Sequence, residues 1–456
     1  MLYKVYKKCR CILFPFLALL VVISFVEPKE DEKSKYFELE NGLKVFLYQR
    51  ATLPLVNVSV SVNLGTKDET EESNGLVHIL EHSILFGGTN LRSGEEVSQD
   101  IRRHGAYFNA HTDLDLVTFD ISLPSEYTDF ALNNQKEILF DLKLSQEEID
   151  REKKVILEEI AQLKDDALRF ATSLVFQNLF QNHPYQYPIF GKKEVIEQAT
   201  SGQLEKFYHT HFVPSNCALS VVGDFIMEEM EEKTKAIFGG VRKGEFSPPQ
   251  YEKSPFLEKS IEIEHEMDIN LGYMVIGMPG PNYNHPDQYA VDVLVQILGR
   301  GTAPMIGYAL WGTRKLAHNA YMSYFTHKYG GAIFIYIFGE PKNLKAARAE
   351  TIKFLKNTRN ERFSKEDFIG EEKLYALDFL ESAKNNLKLT YYQGRERNLD
   401  VASSLSRYLL LTDNSSQKGF LENIQSLTSS DLRKAAGKYL SRGKYVIVSV
   451  IPKKDK

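Results

Sequence analysis

The segment Gly75-Leu76-Val77-His78-Ile79-Leu80-Glu81-His82 sets two histidines and a glutamate into an apolar run that continues through Ile84, Leu85 and Phe86. Such a run predicts a buried helix, with Ser73 or Asn74 capping its start. In a helix, His78 and His82 stand one turn apart on one face, and Glu81 lies beside them. Two imidazoles at this spacing suit zinc, and the adjacent carboxylate suits a general base acting on water. His-x-x-Glu-His is the inverted form of the commoner zinc-protease motif. A solvated His/Glu face conflicts with the apolar surround, because burying three such groups without partners is costly.

A catalytic zinc needs a third protein ligand and an open position. Residues 145–167 read as a helix with a capping-box start at Ser145 and Glu148. At 100° per residue, Glu159 shares a core-facing stripe with Val155, Ile156 and Leu163, and Glu152 stands two turns earlier on that stripe. Glu158 points away, toward solvent. Two carboxylates on a buried stripe are expensive unless they bind a cation or one stays protonated. On these residues alone, an ion pair with a nearby Arg or Lys is the alternative.

Outward from this site, the chain divides in two. It has 456 residues, enough for at least two domains. With 43% hydrophobic and 26% charged residues it is an ordinary globular protein, and disordered or collagenous classes are excluded. A net charge of −5 gives no reason to expect a nucleic-acid partner. Three cysteines exclude a disulfide scaffold, and Cys217 alone lies in the body of the chain. Thr200-Ser-Gly-Gln-Leu-Glu-Lys-Phe207 lays without gaps on Thr428-Ser-Ser-Asp-Leu-Arg-Lys-Ala435. The same register carries Ala218–Val222 onto Val446–Val450. Both copies read as a Ser/Thr-capped helix, a turn and a buried strand, so each half is expected to repeat one unit. Strand-like runs at 55–64 and 332–338, beside the long helical period of 135–164, give an α+β class with helices packed on mostly antiparallel sheets. At the N-terminus, Lys4, Lys7, Lys8 and Arg10 precede an apolar run over 11–26, the form of a secretory signal or signal-anchor. Export is the expectation, to the periplasm or another extracytoplasmic space, with 11–26 either cleaved or retained as a membrane anchor. The expected divisions are therefore 1–35 for signal and charged tether, 36–240 for the metal-binding lobe, 241–258 for a linker and 259–456 for the second lobe.

His78-x-x-Glu81-His82 followed by Glu152 and Glu159 resembles the pitrilysin / insulin-degrading enzyme / mitochondrial processing peptidase family of zinc peptidases. Gly105-Ala-Tyr-Phe-Asn109-Ala110, Leu123-Pro124, His183-Pro184-Tyr185 with Gly191, and Phe212-Val-Pro-Ser-Asn216 before Gly223-Asp224 extend the likeness from about residue 36 onward. The resemblance is to a half-sized, bacterial-type subunit: two homologous lobes forming half of a clamshell. It implies that His78, His82 and Glu159 ligate one zinc per chain, that Glu81 activates water and that Glu152 supports the site. Asn109 and Ala110 would contact substrate. After His82 the chain runs one residue longer than the family's usual form before Gly87-Gly88.

The family's C-terminal half carries an Arg and a Tyr seven residues apart. The best register puts Trp311 and His318 in those places; Arg314 and Tyr321 restore the spacing only by breaking neighbouring matches. The resemblance implies a zinc endopeptidase acting on unfolded peptides, working as a heterodimer with a homologous subunit that keeps the Arg/Tyr pair. The rivals are a second copy of the chain as partner, a narrow-specificity processing peptidase, and a non-catalytic scaffold subunit.

Overall fold

A computed structural model of the chain describes residues 33–249, 251, 257–301, 304–312, 314–367, 378–412 and 419–453. The apolar run at 11–26 lies outside them. Among the described residues no helix is long and apolar enough to cross a membrane.

Alternation in β3 (Leu55–Val62) turns Val56, Val58, Val60 and Val62 into one hydrophobic core and Asn57, Ser59 and Ser61 to the opposite face of the sheet. Around it assemble β1 (Lys33–Glu38), β2 (Lys44–Gln49), β5 (Tyr107–Thr112), β6 (Val117–Pro124) and β8 (Cys217–Gly223), in the order β1-β2-β8-β3-β6-β5. The strands β4 (Gly88–Thr89) and β7 (Leu142–Lys143) form a separate short pair. The sheet begins inside the stretch expected as a charged tether: Lys33–Lys35 belong to β1, and Lys35 pairs with Glu231 at 2.5 Å.

The second half repeats this plan. Its strands β9 (Ile261–Met267), β10 (Gly272–Gly280), β11 (Asn319–Thr326), β12 (Gly331–Gly339) and β13 (Val446–Pro452) run β9-β13-β10-β12-β11. Without β1, the first sheet runs β2-β8-β3-β6-β5. The match is position for position. In each half the last strand inserts between the first two, parallel to one and antiparallel to the other. The capping boxes of the repeat are present as Thr200/Gln203 and Thr428/Asp431. The α+β class with two sheet-and-helix lobes is what the structure has.

The metal motif lies on α1 (Leu76–Phe86). After β6 the chain forms α2 (Thr128–Phe140), α3 (Gln146–Asp165) and α4 (Ala167–Leu179). The second half follows with α5 (Gln288–Gly299), α6 (Leu344–Asn357), α7 (Phe379–Gln393) and α8 (Asn398–Leu411). Helix α4 packs on β10 and β13 of the second sheet, whereas α8 packs on β3 and β8 of the first. Each half thus lends a helix to the other. The close approaches this requires are visible in sequence only afterwards. A Cβ at Gly277 would meet Val175 Cγ1 at 2.1 Å, and Ser406 on α8 meets the hydroxyls of Ser59 at 3.1 Å and Ser61 at 2.8 Å.

A buried polar seam joins the lobes where the β5–β6 turn meets the β11–β12 turn. Lys328 N donates to Asp115 Oδ2 at 3.0 Å, and Arg407 on α8 donates to Asp113 Oδ2 at 2.5 Å. Burial alone would raise the Asp113 carboxyl, but Arg407, His327 and the amides of Leu116 and Asp115 outweigh it and hold it well below the usual range. A carboxylate depressed in the fold stabilises above its unfolded pKa of about 4, and that contribution fades as pH falls below it. Asp113→Asn should therefore unfold with a shallower acid dependence below pH ~4 than the parent, measured by urea titration. It should also lose about 3–5 kcal/mol near neutrality, because Arg407 is left buried without its partner.

Candidate metal centre

Helix α1 starts in an unusual way. Neither Ser73 nor Asn74 caps it: the N-cap is Gly75 at φ 119°, and the cap is supplied from outside by Glu69. Its carboxylate accepts from Gly75 N at 2.9 Å, Val77 N at 2.8 Å and Asn74 Nδ2 at 2.7 Å. A carboxyl oxygen at a helix N-terminus satisfies amides that have no partner within the helix. Burial pushes the Glu69 carboxyl up to about 8, against the pull of those three donors. A second glycine completes the start. Gly191 sits so close that a Cβ there would meet Gly75 Cα at 2.4 Å. This contact lays the loop before Gly191 across the helix and brings Phe190 to His78.

The side chains on α1 and α3 then converge. His78 Nε2 lies 3.5 Å and His82 Nε2 3.9 Å from Glu159 Oε2, with the two imidazoles edge to face at 4.8 Å between centroids. Ligand atoms of His78, His82 and Glu159 all fall within 4.8 Å of one another. Behind them, His82 Nδ1 meets Glu152 Oε2 at 3.2 Å, and His78 Nδ1 lies 3.5 Å from the Phe190 carbonyl oxygen. Each histidine thus has one nitrogen held by an acceptor and the other turned to the common point, the arrangement that orients metal-binding imidazoles. Donor chemistry, number and spacing all fit a tetrahedral zinc with one open position.

Burial sets the charges. It pulls the His78 imidazole down to about 3, helped by neighbouring His82, so that nitrogen keeps its lone pair near neutrality. Burial also lowers His82, but the hydrogen bond to Glu152 and the charges of Glu81, Glu159 and Glu152 outweigh it and raise the group. Glu81 and Glu159 are both raised by burial, although His82 opposes the shift in each. Raised carboxyls beside a raised histidine conflict as a simple ion pair. Burial explains the carboxyls, since three acids share two imidazoles, and a divalent cation would relieve that excess.

Thr112 on β5 donates its hydroxyl to Glu81 Oε2. Ala110 is buried on the same face of β5 as Thr112, whereas Asn109 is exposed on the other face, opposite Asp120 on β6. His104 stacks on Phe130 at 3.9 Å and belongs to a helix end. Glu158 is exposed, as the helical wheel requires. Val155, expected in the core, is 39% exposed, and the Glu159 side chain is 34% exposed. The stripe they share faces an open approach to the site. Arg314 pairs with Glu350 on α6 at 3.1 Å, while Tyr321 stacks on Tyr336 at 4.7 Å among the residues packed with α4. The two engage opposite faces of the second sheet. Trp311 and His318 are both exposed.

Residues 44–193 match the family description "Insulinase (Peptidase family M16)", and residues 198–371 match "Peptidase M16 inactive domain". The chain belongs to the M16 peptidase family. Zinc protease PqqE of Helicobacter pylori is 26% identical over 419 residues, covering 89% of this chain and 90% of that one. A probable mitochondrial-processing peptidase subunit beta of Arabidopsis thaliana is 25% identical over 264 residues, covering 57% of this chain and 49% of that one. Among solved structures, a protease from Helicobacter pylori aligns with TM-score 0.83 at 24% identity, over 92% of this chain and 100% of that one. An M16 inactive-domain structure from Pseudomonas fluorescens aligns at 0.79 and 20%, over 93% and 99%. The first M16 match holds the metal motif; the inactive-domain match falls mainly on the second lobe.

Glu69, Thr112 and Phe190 escape sequence reasoning because each reaches the site from another chain segment. Replacing Glu69 with Ala should cost about 2 kcal/mol or more, since it removes a helix cap and strands buried donors. The urea midpoint measures this.

Proposed function

We propose that this chain is the catalytic subunit of a zinc endopeptidase that hydrolyses extended peptides. The observation that carries the reading is the convergence of His78, His82 and Glu159 within 4.8 Å, with Glu81 on the same helix held by Thr112. When bound by these three ligands, zinc would supply Lewis acidity and acidify water. Glu81 does the proton work. Its burial raises the carboxyl toward the range where it can both take a proton and return it to a leaving amine. Thr112 fixes one Glu81 oxygen and leaves the other to act. Glu152 fixes the His82 ring through its Nδ1. Strand β5, which carries Asn109 and Ala110, is the edge of the first sheet next to α1. Backbone groups on such an edge add an extended peptide as one more strand, which favours unfolded substrates.

The partner is proposed to be a homologous subunit that supplies the Arg/Tyr pair. Arg314 and Tyr321 engage opposite faces of the sheet, which supports a pair supplied from elsewhere. A relative named as a processing-peptidase subunit supports a two-chain enzyme. Export is proposed from the basic-flanked apolar run at 11–26 alone. The scaffold reading loses ground to the intact donor set, whose burial a structural role does not require.

Glu81→Gln should keep zinc and fold while cleavage of an unstructured peptide falls by about 10²–10⁴. Glu159→Gln should lose zinc, and Glu158→Gln should match the parent. Metal analysis beside a peptide-cleavage assay separates the three. Arg314→Ala and Tyr321→Phe should leave cleavage within about twofold; its loss would restore them as the substrate pair and favour a homodimer.

A further inference from the structure

Helices α3 and α4 are joined through one residue. Asp166 is the C-cap of α3 and the N-cap of α4, and its Oδ1 accepts from the amides of Leu168 and Arg169 at 3.0 Å each. Arg169 therefore stands in the first turn of α4, where the helix dipole disfavours a cation and acids are the usual occupants. No ion pair compensates it among the described residues, and its Nε is buried without a hydrogen-bond partner. A residue that breaks the local rule with no local gain calls for a partner elsewhere.

That partner is the metal centre. The Arg169 guanidinium lies 5.6 Å from the centroid of the Phe190 ring. The same Phe190 packs edge to face on His78 at 5.5 Å, and its carbonyl oxygen lies 3.5 Å from His78 Nδ1. Arg169 thus bears on the residue that backs His78 with both its ring and its carbonyl oxygen.

We infer that Arg169 is a positioning residue of the metal centre: its guanidinium lies over Phe190 and so steadies the residue that holds His78. This rests on the zinc reading above. Arg169 does not meet substrate; it acts through Phe190 on His78. Because α4 lies on β10 and β13, the cation is carried by a helix seated on the second lobe, so that lobe contributes to metal binding in the first. Partners behind metal ligands typically matter by about 10–100-fold in metal affinity.

The test measures zinc affinity of the full chain by competition with a chelator of known affinity, with zinc alone as probe and no substrate. Arg169→Gln should bind zinc about 10–100-fold more weakly than the parent. Arg169→Lys, which keeps the charge but not the planar guanidinium, should recover part of that loss. In a Phe190→Leu background the Arg169→Gln penalty should shrink, because the ring through which Arg169 acts is gone. Urea midpoints within error of the parent separate positioning from unfolding; should Arg169→Gln fail that control, Arg169→Lys against the parent decides. Affinity of Arg169→Gln within twofold of the parent, or an undiminished penalty in the Phe190→Leu background, overturns the inference. A parent chain that binds no zinc overturns the metal reading instead, and the two failures are distinct.

Discussion

The two ligand helices come from distant parts of the chain and are held together by tertiary contacts alone. His78 and His82 come from α1, Glu152 and Glu159 from α3, and the centre exists only while these helices keep their mutual position. Three anchors fix that position. Glu69 pins the start of α1, the Gly75–Gly191 contact presses Phe190 against it, and α3 turns at Asp166 into a helix seated on the opposite sheet. Pre-organisation of this kind matters because metal ligands displaced by a fraction of an ångström bind with the wrong geometry. The lobes are thus coupled at the place where chemistry is expected.

The electrostatics follow from the same packing. Burial leaves His78 neutral and discourages ionisation of Glu81 and Glu159, while His82 sits among three acids. A centre of this composition prefers a divalent cation to a proton or an ammonium group. It also keeps one carboxyl, that of Glu81 on the histidine helix, tied to the Thr112 hydroxyl, where proton transfer would be useful.

Much of this was legible from residues. The spacing of His78, Glu81 and His82 and the wheel position of Glu152 and Glu159 require only helical periodicity, and the repeat at 200–222 and 428–450 marks the duplicated topology that the two sheets display. What stayed hidden depends on segments distant in sequence. Val155 read as core because the wheel shows which face is apolar and not that this face fronts an open approach. Asn74 read as a cap because a carboxylate from an earlier turn leaves no mark in the cap position. The alternation of β3 looks like a strand with one wet face, yet Ser59 and Ser61 lie beneath α8 from the other half. No periodicity foretells a helix that crosses to the neighbouring sheet.

That crossing is mutual, and it carries an evolutionary consequence. Two similar units that trade corresponding helices have the connectivity of a domain-swapped pair, here written into one polypeptide. A single ancestral unit would have left the face beneath its swapped helix bare, and so would have needed a second copy to fold. Duplication and fusion then turned an intermolecular exchange into an internal one. Once both copies were tied together, only one of them had to keep the histidines, and the other was free to diverge.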